Sequence, residues 1–380
     1  MNIGLLGHGT IGLGVDRIIR PRNDMKVTKI LSLIVDEEME GRTAKDISDI
    51  VNDPEIDTVV EVMGGVHPAY EFIAAAMKNH KNVVTANKAV VAACYKELVS
   101  LAKETGVSFR STAAVGGSIP WLVNLERAKR VDEILEVSGI MNGTTNYILD
   151  AMKSRGLSLP ALIKEAQALG YAEADPTADI EGFDIRRKLN ISVNVAFDVL
   201  TSEEDIPCIG ISRITEKDIE NAKSLSRVIK LKACGKKNDD GSVTAFVEPE
   251  LLEDADPMAG LTGSFNLLSY EAVNAGTQGY LGMGAGRFPT AYNVVEDLAD
   301  ILERKPAFYT DAFTPAAIDN STLKKAYYVR TVLPDACLPA PVFEKGDGYI
   351  ITEPVSVKEM HDFFAAAKTQ DPSAFIAGIG

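Results

Sequence analysis

The chain opens with a short apolar strand, a glycine-rich turn and a helix. The strand reads NIGLLG, the turn GHGTIG carries Gly7, Gly9 and Gly12, and VDRIIR continues as a helix. In such a unit Gly7 permits the tight turn, Gly9 lets the backbone approach a pyrophosphate, and Gly12 allows the helix to pack closely on the strand. The pattern predicts a nucleotide-binding unit, with a glycine-rich turn in some other α/β unit as the alternative.

Strands and helices continue to alternate after this turn. The second strand, VTKILSLIV, leads to Asp36, 24 residues after Gly12, close to where a carboxylate would hold the ribose diol of NAD. DTVVEVMGG ends in the pair Gly64 and Gly65, PAYEFIAAAMKNH is an amphipathic helix, and NVVTANKAVVA and GVSFRSTAAVGG contain further strands. The alternation predicts an α/β fold, a Rossmann-type doubly wound parallel sheet with ligands at the carboxyl ends of its strands.

Asn87 and Lys88 follow one of these strands in the motif TANKA. A lysine at this place is either an ordinary surface residue or a group that reaches into the nucleotide crevice. Its position at the carboxyl end of a predicted parallel strand favours the crevice.

The pattern changes near residue 130. The turn Asn142–Thr145 opens a helix and offers hydroxyl and backbone N–H groups to a carboxylate, although an ordinary turn with a helix cap is the alternative. We predict a nucleotide-binding domain over 1–130, completed by 290–310, and an α+β domain over 131–289. Residues 311–380 are predicted to form a small α+β appendage with the strands KKAYYVRTVL, GYIITEPV and AFIAGIG and the helix VKEMHDFFAAAK.

The stretch Gly170–Lys188, GYAEADPTADIEGFDIRRK, holds five carboxylates and three cations between two apolar helical runs. From about Gly182 the pattern is helical, which places Asp184 and Lys188 one turn apart on one face. A carboxylate that holds a lysine at the start of a helix, below a loop with more acids, suits a small polar substrate with a positive end. The alternative is a solvated helix start with an ordinary surface ion pair.

Composition excludes several classes of partner. The net charge of −15 argues against a nucleic-acid-binding surface. No apolar run reaches the length of a membrane span, and the glycine-punctuated amino terminus lacks the basic region of a signal peptide. The four cysteines lie far apart without metal-like spacing, which indicates free thiols in a reducing cytoplasm. We therefore expect a cytoplasmic protein with a small-molecule substrate and no nucleic-acid or membrane partner.

Several ordered motifs together resemble the homoserine dehydrogenase family over residues 1–310. They are GHGTIG, EVMGG, VVTANKA, AVGGSIP, SGIMNGTTNYIL, GYAEADPTADIEGFDIRRK and GMGAGRFPTA. The resemblance implies reversible, NAD(P)-dependent reduction of L-aspartate 4-semialdehyde to L-homoserine in threonine and methionine biosynthesis. It also implies a homodimer or higher homo-oligomer formed through the β-rich middle domain. The alternatives are a related amino-acid aldehyde oxidoreductase and a non-catalytic dinucleotide-binding sensor or paralogue.

The resemblance also implies roles for individual residues. Lys188 matches the proton donor and acceptor at the substrate oxygen, Lys88 the second lysine, and Asp184 the carboxylate that orients the first. The implied substrate-binding residues are Gly143, Thr144, Glu173, Asp179, Asp184 and Lys188. The implied cofactor-binding residues are Gly7, Gly9, Thr10, Ile11, Gly12, Asp36, Gly64, Gly65, Lys88, Gly284 and Gly286.

The segment STAAVGGSI resembles a loop of the family whose backbone carbonyls bind Na⁺. The matching positions are Thr112, Val115, Gly117 and Ile119. Thr112 stands where the family commonly has glutamate, and Met283 stands where it has proline in a loop near the cofactor.

The end of the second strand predicts the cofactor. Family members that use NADP tend to carry a basic residue there, whereas this chain has Val35 and Asp36. Because a carboxylate repels a 2′-phosphate, we expect NAD rather than NADP.

The last segment, 311–380, resembles a shortened form of the ACT-type regulatory domain that many family members carry. The first helix and effector loop of that domain are replaced here by PDACLPAPVFEKGDG. We therefore expect no ordinary feedback by threonine.

Overall fold

The chain folds into two units, each with its own β-sheet, in a computed structural model that describes residues 1–39, 41–307, 309–310 and 312–380. Unit 1 consists of Met1–Glu133, Asn194–Asp198 and Gly282–Thr314. Unit 2 consists of Ile134–Val193, Val199–Leu281 and Pro315–Gly380. Among the described residues, no helix is both long and apolar enough to cross a membrane.

Unit 1 is built on a parallel sheet with the strand order β2-β1-β3-β4-β5, elements being numbered along the chain. Its strands are β1 (Asn2–Leu6), β2 (Lys26–Leu31), β3 (Thr58–Glu61), β4 (Asn82–Thr85) and β5 (Phe109–Arg110). Its helices are α1 (Thr10–Ile19), α2 (Ser48–Val51), α3 (Ala69–Lys78), α4 (Lys88–Thr105), α5 (Trp121–Ala128) and α11 (Arg287–Leu302). The strand order reverses at β1, so a ligand crevice is expected at the carboxyl ends of β1 and β3. The predicted doubly wound parallel sheet is confirmed.

The core of unit 1 explains why α11 belongs to it. Buried side chains of β1 pack with Val15 and Ile19 of α1, and Val294 and Leu298 of α11 join the same cluster. Gly14 has no side chain, and a Cβ there would lie 2.8 Å from the carbonyl oxygen of Arg287. The two helices therefore approach each other closely.

The second strand is shorter than predicted. It ends at Leu31, which pairs with Leu6, the last residue of β1. In the part of the chain that the structure describes, β1 is the strand that pairs with β2, and β1 leaves the sheet at Gly7, so the chain beyond Leu31 has no strand there to pair with. Leu33 and Val35, predicted in the strand, are 106% and 63% exposed.

Unit 2 contains most of a nine-stranded mixed sheet with the order β11-β10-β6-β8-β9-β18-β14-β16-β15. The remaining strands along the chain are β6 (Ile134–Ile140), β7 (Val199–Leu200), β8 (Arg227–Lys237), β9 (Val243–Glu253), β10 (Phe265–Ala272), β11 (Gly276–Met283), β12 (Thr314–Pro315), β13 (Lys324–Lys325), β14 (Tyr327–Arg330), β15 (Val342–Gly346), β16 (Tyr349–Thr352), β17 (Val355–Ser356) and β18 (Phe375–Ile379). The remaining helices are α6 (Gly143–Arg155), α7 (Leu159–Ala168), α8 (Thr177–Ile180), α9 (Phe183–Phe197), α10 (Glu216–Ser224) and α12 (Val357–Gln370). Gly235 of β8 leaves room for Leu189 and Val193 of α9, so this helix lies close on the sheet.

The carboxyl-terminal segment extends the sheet of unit 2. Its last strand, β18, pairs in parallel with β9, with Gly378 beside Glu250. Met360 and Phe364 of α12 pack with Tyr327 of β14 beneath these strands. The sequence did not predict β15, because this edge strand is largely exposed and carries few apolar residues.

Candidate active site

In unit 2 the side chain of Asn142 joins the turn between β6 and α6 to the acidic stretch. Asn142 caps α6, because its Oδ1 accepts the N–H of Thr145 at 2.9 Å. Its Nδ2 donates to Asp179 Oδ1 at 2.7 Å and to Asp184 Oδ2 at 2.9 Å. One amide group therefore brings both carboxylates to the start of α6. The sequence placed Asn142 in the turn that opens a predicted helix but did not assign it to the site.

Lys188 completes this cluster. Its Nζ lies 2.7 Å from Asp184 Oδ2, one turn earlier on α9, and donates to the carbonyl oxygen of Met141 at 2.7 Å. The two residues are only 6% and 8% exposed, so solvent screens their interaction little. The alternative of an exposed surface ion pair does not describe Asp184 and Lys188.

Other residues predicted to bind substrate lie near the cluster without joining it. The hydroxyl of Thr144 donates to the carbonyl oxygen of Tyr171 at 2.7 Å, so its proton is directed to the backbone. Glu173 is exposed, and its carboxylate has no partner among the described residues. Gly143 is the first residue of α6, and a Cβ there would lie 2.6 Å from the carbonyl oxygen of Ser264.

The remaining charges of the stretch hold the local fold. Asp175 Oδ1 accepts from the hydroxyl and the N–H of Thr177 at 2.6 and 3.1 Å, and these bonds lower the pKa of Asp175. Arg187 pairs with Glu203 at 2.8 Å.

The cluster of Asn142, Asp179, Asp184 and Lys188 contains two carboxylates and one ammonium group. It therefore carries a formal charge of −1 and attracts a cationic group.

A second loop of unit 2 supports the segment that carries Asp179. The N–H of Ile211 donates to the carbonyl oxygen of Ile180 at 2.8 Å, and Cys208 Sγ donates to that of Glu181 at 3.0 Å. At Gly210 an added Cβ would lie 2.1 Å from the same Ile180 oxygen. A side chain at this position has no space, so the two segments can pack only through glycine.

We expect Gly210→Ala to lower the free energy of unfolding by about 1–3 kcal/mol, as overpacking in a core does. The added methyl group must displace the backbone near Ile180. Gly260→Ala is the matched control, because the nearest atom to a Cβ at Gly260 is 3.9 Å away. Urea unfolding of both variants measures the effect, and equal stabilities would contradict it.

In unit 1 the glycine-rich turn has the predicted geometry. Gly7 has a φ of +96°, and a Cβ there would lie 2.9 Å from the carbonyl oxygen of Val62. A Cβ at Gly12 would lie 2.0 Å from the Gly7 oxygen, so α1 packs closely on this turn. Among the described residues, no atom beyond the adjacent chain lies within 4 Å of a Cβ at Gly9, which leaves the backbone open to a ligand at the start of α1, where Thr10 is the first residue.

Asp36 lies beside this turn. Its side chain is 42% exposed, and its Oδ2 lies 3.1 Å from Nδ1 of His8. The loop after β2 therefore returns the carboxylate to the carboxyl end of β1, although the strand itself stops earlier.

A buried glutamate organises the carboxyl ends of β3 and β4. Glu61, the last residue of β3, accepts from the Thr85 hydroxyl at 2.6 Å, the N–H of Met63 at 2.8 Å and Asn87 Nδ2 at 3.2 Å. Its burial raises the pKa of the carboxyl above its usual value. The sequence analysis missed Glu61, although a charge at the end of an apolar strand and before a glycine pair could have revealed it.

Asn87 links Glu61 to the start of α4, where Lys88 lies. Its Oδ1 caps α4 by accepting the N–H of Ala89 at 3.1 Å, and its Nδ2 donates to the Gly65 oxygen at 2.7 Å. Gly64 and Gly65 have φ values of +87° and +74°, as this turn requires. Lys88, half-buried, is the first residue of α4, so the network fixes where it begins.

Two predicted loops pack on each other in unit 1. The N–H of Ser118 donates to the carbonyl oxygen of Met283 at 3.0 Å, and a Cβ at Gly117 would lie 2.5 Å from the same oxygen. A Cβ at Gly117 would also lie 2.5 Å from the carbonyl carbon of Gly284. Gly286, with a φ of +122°, directly precedes α11.

The carbonyl groups that were predicted to bind a cation have another partner. Asn293 Nδ2 of α11 donates to the oxygen of Gly117 at 2.6 Å and to that of Ile119 at 2.9 Å. The Asn293 amide thus bridges two of the four carbonyl groups of the predicted set. Thr112 and Val115 complete that set, and the cation site stays a prediction.

Thr112 instead contacts a buried acid. Its N–H and its hydroxyl donate to the two carboxylate oxygens of Asp297 at 3.0 and 2.7 Å. Burial is the largest influence on this group and raises the pKa of Asp297 to about 7. Because the unfolded chain ionises this group at lower pH, the protein loses stability as pH rises from about 3.9 to about 7.

We expect Asp297→Asn to remove that loss. The variant should be more stable than the parent above pH 7, by at most about 4 kcal/mol at about 1.4 kcal/mol per pKa unit, and the difference should shrink towards pH 4. Melting temperatures at pH 5 and pH 8 measure it, with the exposed Asp362→Asn as the control. A difference that does not change with pH would contradict the prediction.

Comparisons with known proteins show the family of this chain. The model of the homoserine dehydrogenase family matches residues 120–299, and the model of the homoserine dehydrogenase NAD-binding domain matches residues 7–111. The chain is 36% identical to the homoserine dehydrogenase of Bacillus subtilis over 317 residues, which are 80% of this chain and 73% of that relative. It is 39% identical to that of Corynebacterium glutamicum over 80% of this chain and 72% of the relative.

A solved structure extends the likeness to the whole chain. The crystal structure of a homoserine dehydrogenase from Thiobacillus denitrificans superposes with a TM-score of 0.89 at 30% identity, covering 100% of this chain and 98% of that one. The predicted family is therefore confirmed by sequence and by structure. The chain belongs to the homoserine dehydrogenase family and is an oxidoreductase with an NAD(P)-binding domain.

Proposed function

We propose that the protein interconverts L-aspartate 4-semialdehyde and L-homoserine, with NAD as the preferred cofactor, in the cytoplasm and in the service of threonine and methionine biosynthesis. The observation that carries the proposal is the buried pair of Asp184 and Lys188, tied by Asn142 to Asp179. The buried lysine can exchange a proton with the oxygen of an alcohol or aldehyde, and Asp179, joined to it through Asn142 and Asp184, can take an ammonium group.

In this proposal Lys188 is the acid and base at the substrate oxygen. The nicotinamide, when bound, supplies or receives the hydride at the carbon. During reduction the Lys188 ammonium donates its proton to the oxygen, and its charge stabilises the developing alkoxide. Asp184 and the Met141 carbonyl hold Nζ in place at 2.7 Å each, so the proton is delivered from a fixed position. Lys88, which lies in unit 1, is proposed to support catalysis and to bind the cofactor.

Substrate recognition is assigned to the charges of unit 2. Asp179, with the net negative charge around it, takes the α-ammonium group, and Glu173 in the exposed loop contributes to the same field. The first N–H groups of α6, at Gly143 and Thr144, take the α-carboxylate at a helix amino terminus.

The nucleotide site is assigned to the residues at the strand ends of unit 1. Gly9 leaves its backbone open to the pyrophosphate at the start of α1, where Thr10 and Ile11 lie. Asp36 holds the ribose diol and repels a 2′-phosphate, which favours NAD. Because Asn293 occupies two of the carbonyl groups at the predicted Na⁺ loop, we assign no catalytic step to a cation.

Two further assignments rest on the resemblance. We propose a homodimer or higher homo-oligomer formed through the sheet of unit 2, whose edge strand β11 is largely exposed. The carboxyl-terminal segment has the strand order β18-β14-β16-β15 with one crossing helix, α12, which supports a shortened ACT-like module without ordinary threonine feedback.

Initial rates of L-homoserine oxidation, measured side by side with NAD and NADP, test the proposal. We expect turnover with both and a higher kcat/KM with NAD. Binding of the dinucleotides without turnover would identify a sensor instead. Turnover of a different amino-acid alcohol at a much higher kcat/KM would identify a related oxidoreductase.

A further inference from the structure

One buried histidine of unit 1 has no part in the mechanism above. His8 is the second residue of the turn GHGTIG, and its side chain is fully buried. Its Nδ1 lies 3.1 Å from Asp36 Oδ2, and its Nε2 lies 3.7 Å from Asp16 Oδ2. Because an ionised carboxylate only accepts hydrogen bonds, Nδ1 of His8 is the donor to Asp36.

This contact holds the side chain of Asp36. β2 ends at Leu31, five residues earlier, and the intervening Leu33 and Val35 are exposed, so the chain that leads to Asp36 is not packed; the loop is anchored beyond Asp36 by Met39, which is buried in the core of unit 1. Across the residues that the structure describes, His8 is the one side chain that hydrogen-bonds the Asp36 carboxylate, through Oδ2. The other oxygen, Oδ1, has no such partner there and is available to a diol.

The second carboxylate near His8 engages the neighbouring arginines. Asp16 is buried. Its carboxylate accepts hydrogen bonds from both terminal nitrogens of Arg42, at 2.6 and 2.9 Å, and from Nη2 of Arg20 at 2.8 Å. A 2′-phosphate is best bound by a guanidinium group with free donors. The pairing with Asp16 therefore occupies Arg42 and one terminal nitrogen of Arg20, and Glu38 likewise takes Arg17, at 2.7 Å.

We infer that His8 is a specificity-determining residue for the cofactor, which selects NAD by holding Asp36 Oδ2 so that Oδ1 meets the ribose diol. The inference rests on the proposed function, in which Asp36 binds the ribose. His8 is the residue between the first two glycines of G-x-G-x-x-G. In this inference its side chain has a role that the glycines do not have, because it holds Asp36, the acid that follows β2.

Calorimetric titrations with NADH and NADPH test the inference on the full chain. His8→Leu removes the donor, and we expect NADH to bind about tenfold more weakly while NADPH binding changes less than twofold, because a hydrogen bond to a charged group is lost. His8→Asn places an amide donor near the position of Nδ1 and should bind NADH within about threefold of the parent. The KM for L-homoserine at saturating NAD should stay the same in both.

An Asp36→Ala background separates positioning from general packing. There we expect His8→Leu to weaken NADH binding less than twofold further, since the acid that it positions is absent. His8→Ala deletes the same hydrogen bond without added bulk and replaces His8→Leu if that variant does not fold.

Each contrary result has a distinct meaning. A parent protein that binds NADPH more tightly than NADH overturns the cofactor proposal and the inference together. A parent that prefers NADH, with His8→Leu at an unchanged ratio of the two dissociation constants, overturns the inference alone. A tenfold loss on adding His8→Leu to Asp36→Ala also overturns it, because the effect would not pass through Asp36.

Discussion

Lys188→Ala should lower kcat for L-homoserine oxidation by about 10²–10⁴-fold, the usual contribution of a positioned acid or base. The variant removes the group of the unit 2 cluster to which we assign proton transfer at the substrate oxygen. Binding of NADH, measured by calorimetry, should change less than threefold, because the proposed nucleotide site lies in unit 1. Lys188→Arg keeps the charge but holds its proton too tightly to act as a base, so it should remain slow.

Two comparisons make this result specific. Lys223→Ala removes an exposed lysine of α10 in the same unit and should leave kcat unchanged. Lys88→Ala tests the second lysine of the proposal. If Lys188→Ala retained near-normal turnover while Lys88→Ala lost it, the assignment of the proton carrier would be reversed.

Asp184→Ala should be the most destabilising single change in the cluster. It leaves the Lys188 ammonium buried without its carboxylate, which costs about 3–5 kcal/mol in the free energy of unfolding. Urea unfolding measures the loss, and kcat should fall as well, because Nζ is no longer held by the acid. Asp362→Ala is the matched control: it removes the acid of an exposed Asp–Lys pair with the same spacing, for which at most about 1 kcal/mol is expected.

The double variant Asp184→Ala with Lys188→Met distinguishes a buried charge from lost packing. Removing both partners eliminates the uncompensated charge, so the double variant should recover a large part of the stability that Asp184→Ala loses. A double variant as unstable as Asp184→Ala alone would show that the loss comes from packing and not from the ion pair.

Local signals in the sequence were sufficient for the fold of unit 1. The turn around Gly7 and Gly12 and the alternation of strands and helices are short-range patterns, and they predicted the parallel sheet correctly. The predicted end of β2 was wrong because an edge strand ends where its neighbour ends. The apolar run to Val35 contains no sign that β1 stops at Leu6. β15 was missed because an exposed edge strand needs few apolar residues.

The site was predicted in part for the same reason. The spacing of Asp184 and Lys188 is local, and it indicated one helix face, which the structure shows. The partners that complete the networks are distant in sequence: Asn142 is 37 residues from Asp179, and Glu61 is 24 residues from Thr85. Contacts over such separations are set by the packing of whole elements, and periodicity or motif spacing does not reveal them.

In the proposed function, the acid cluster of unit 2 recognises the amino group of the substrate. The most direct measurement compares kcat/KM for L-homoserine with that for 4-hydroxybutyrate, which lacks the amino group, in the parent and in Asp179→Asn. The variant keeps an acceptor for Asn142 but removes the charge. We expect a strong preference for L-homoserine in the parent and a preference at least tenfold smaller in Asp179→Asn, because kcat/KM for L-homoserine falls while that for 4-hydroxybutyrate does not. An equal preference in the two proteins would contradict it.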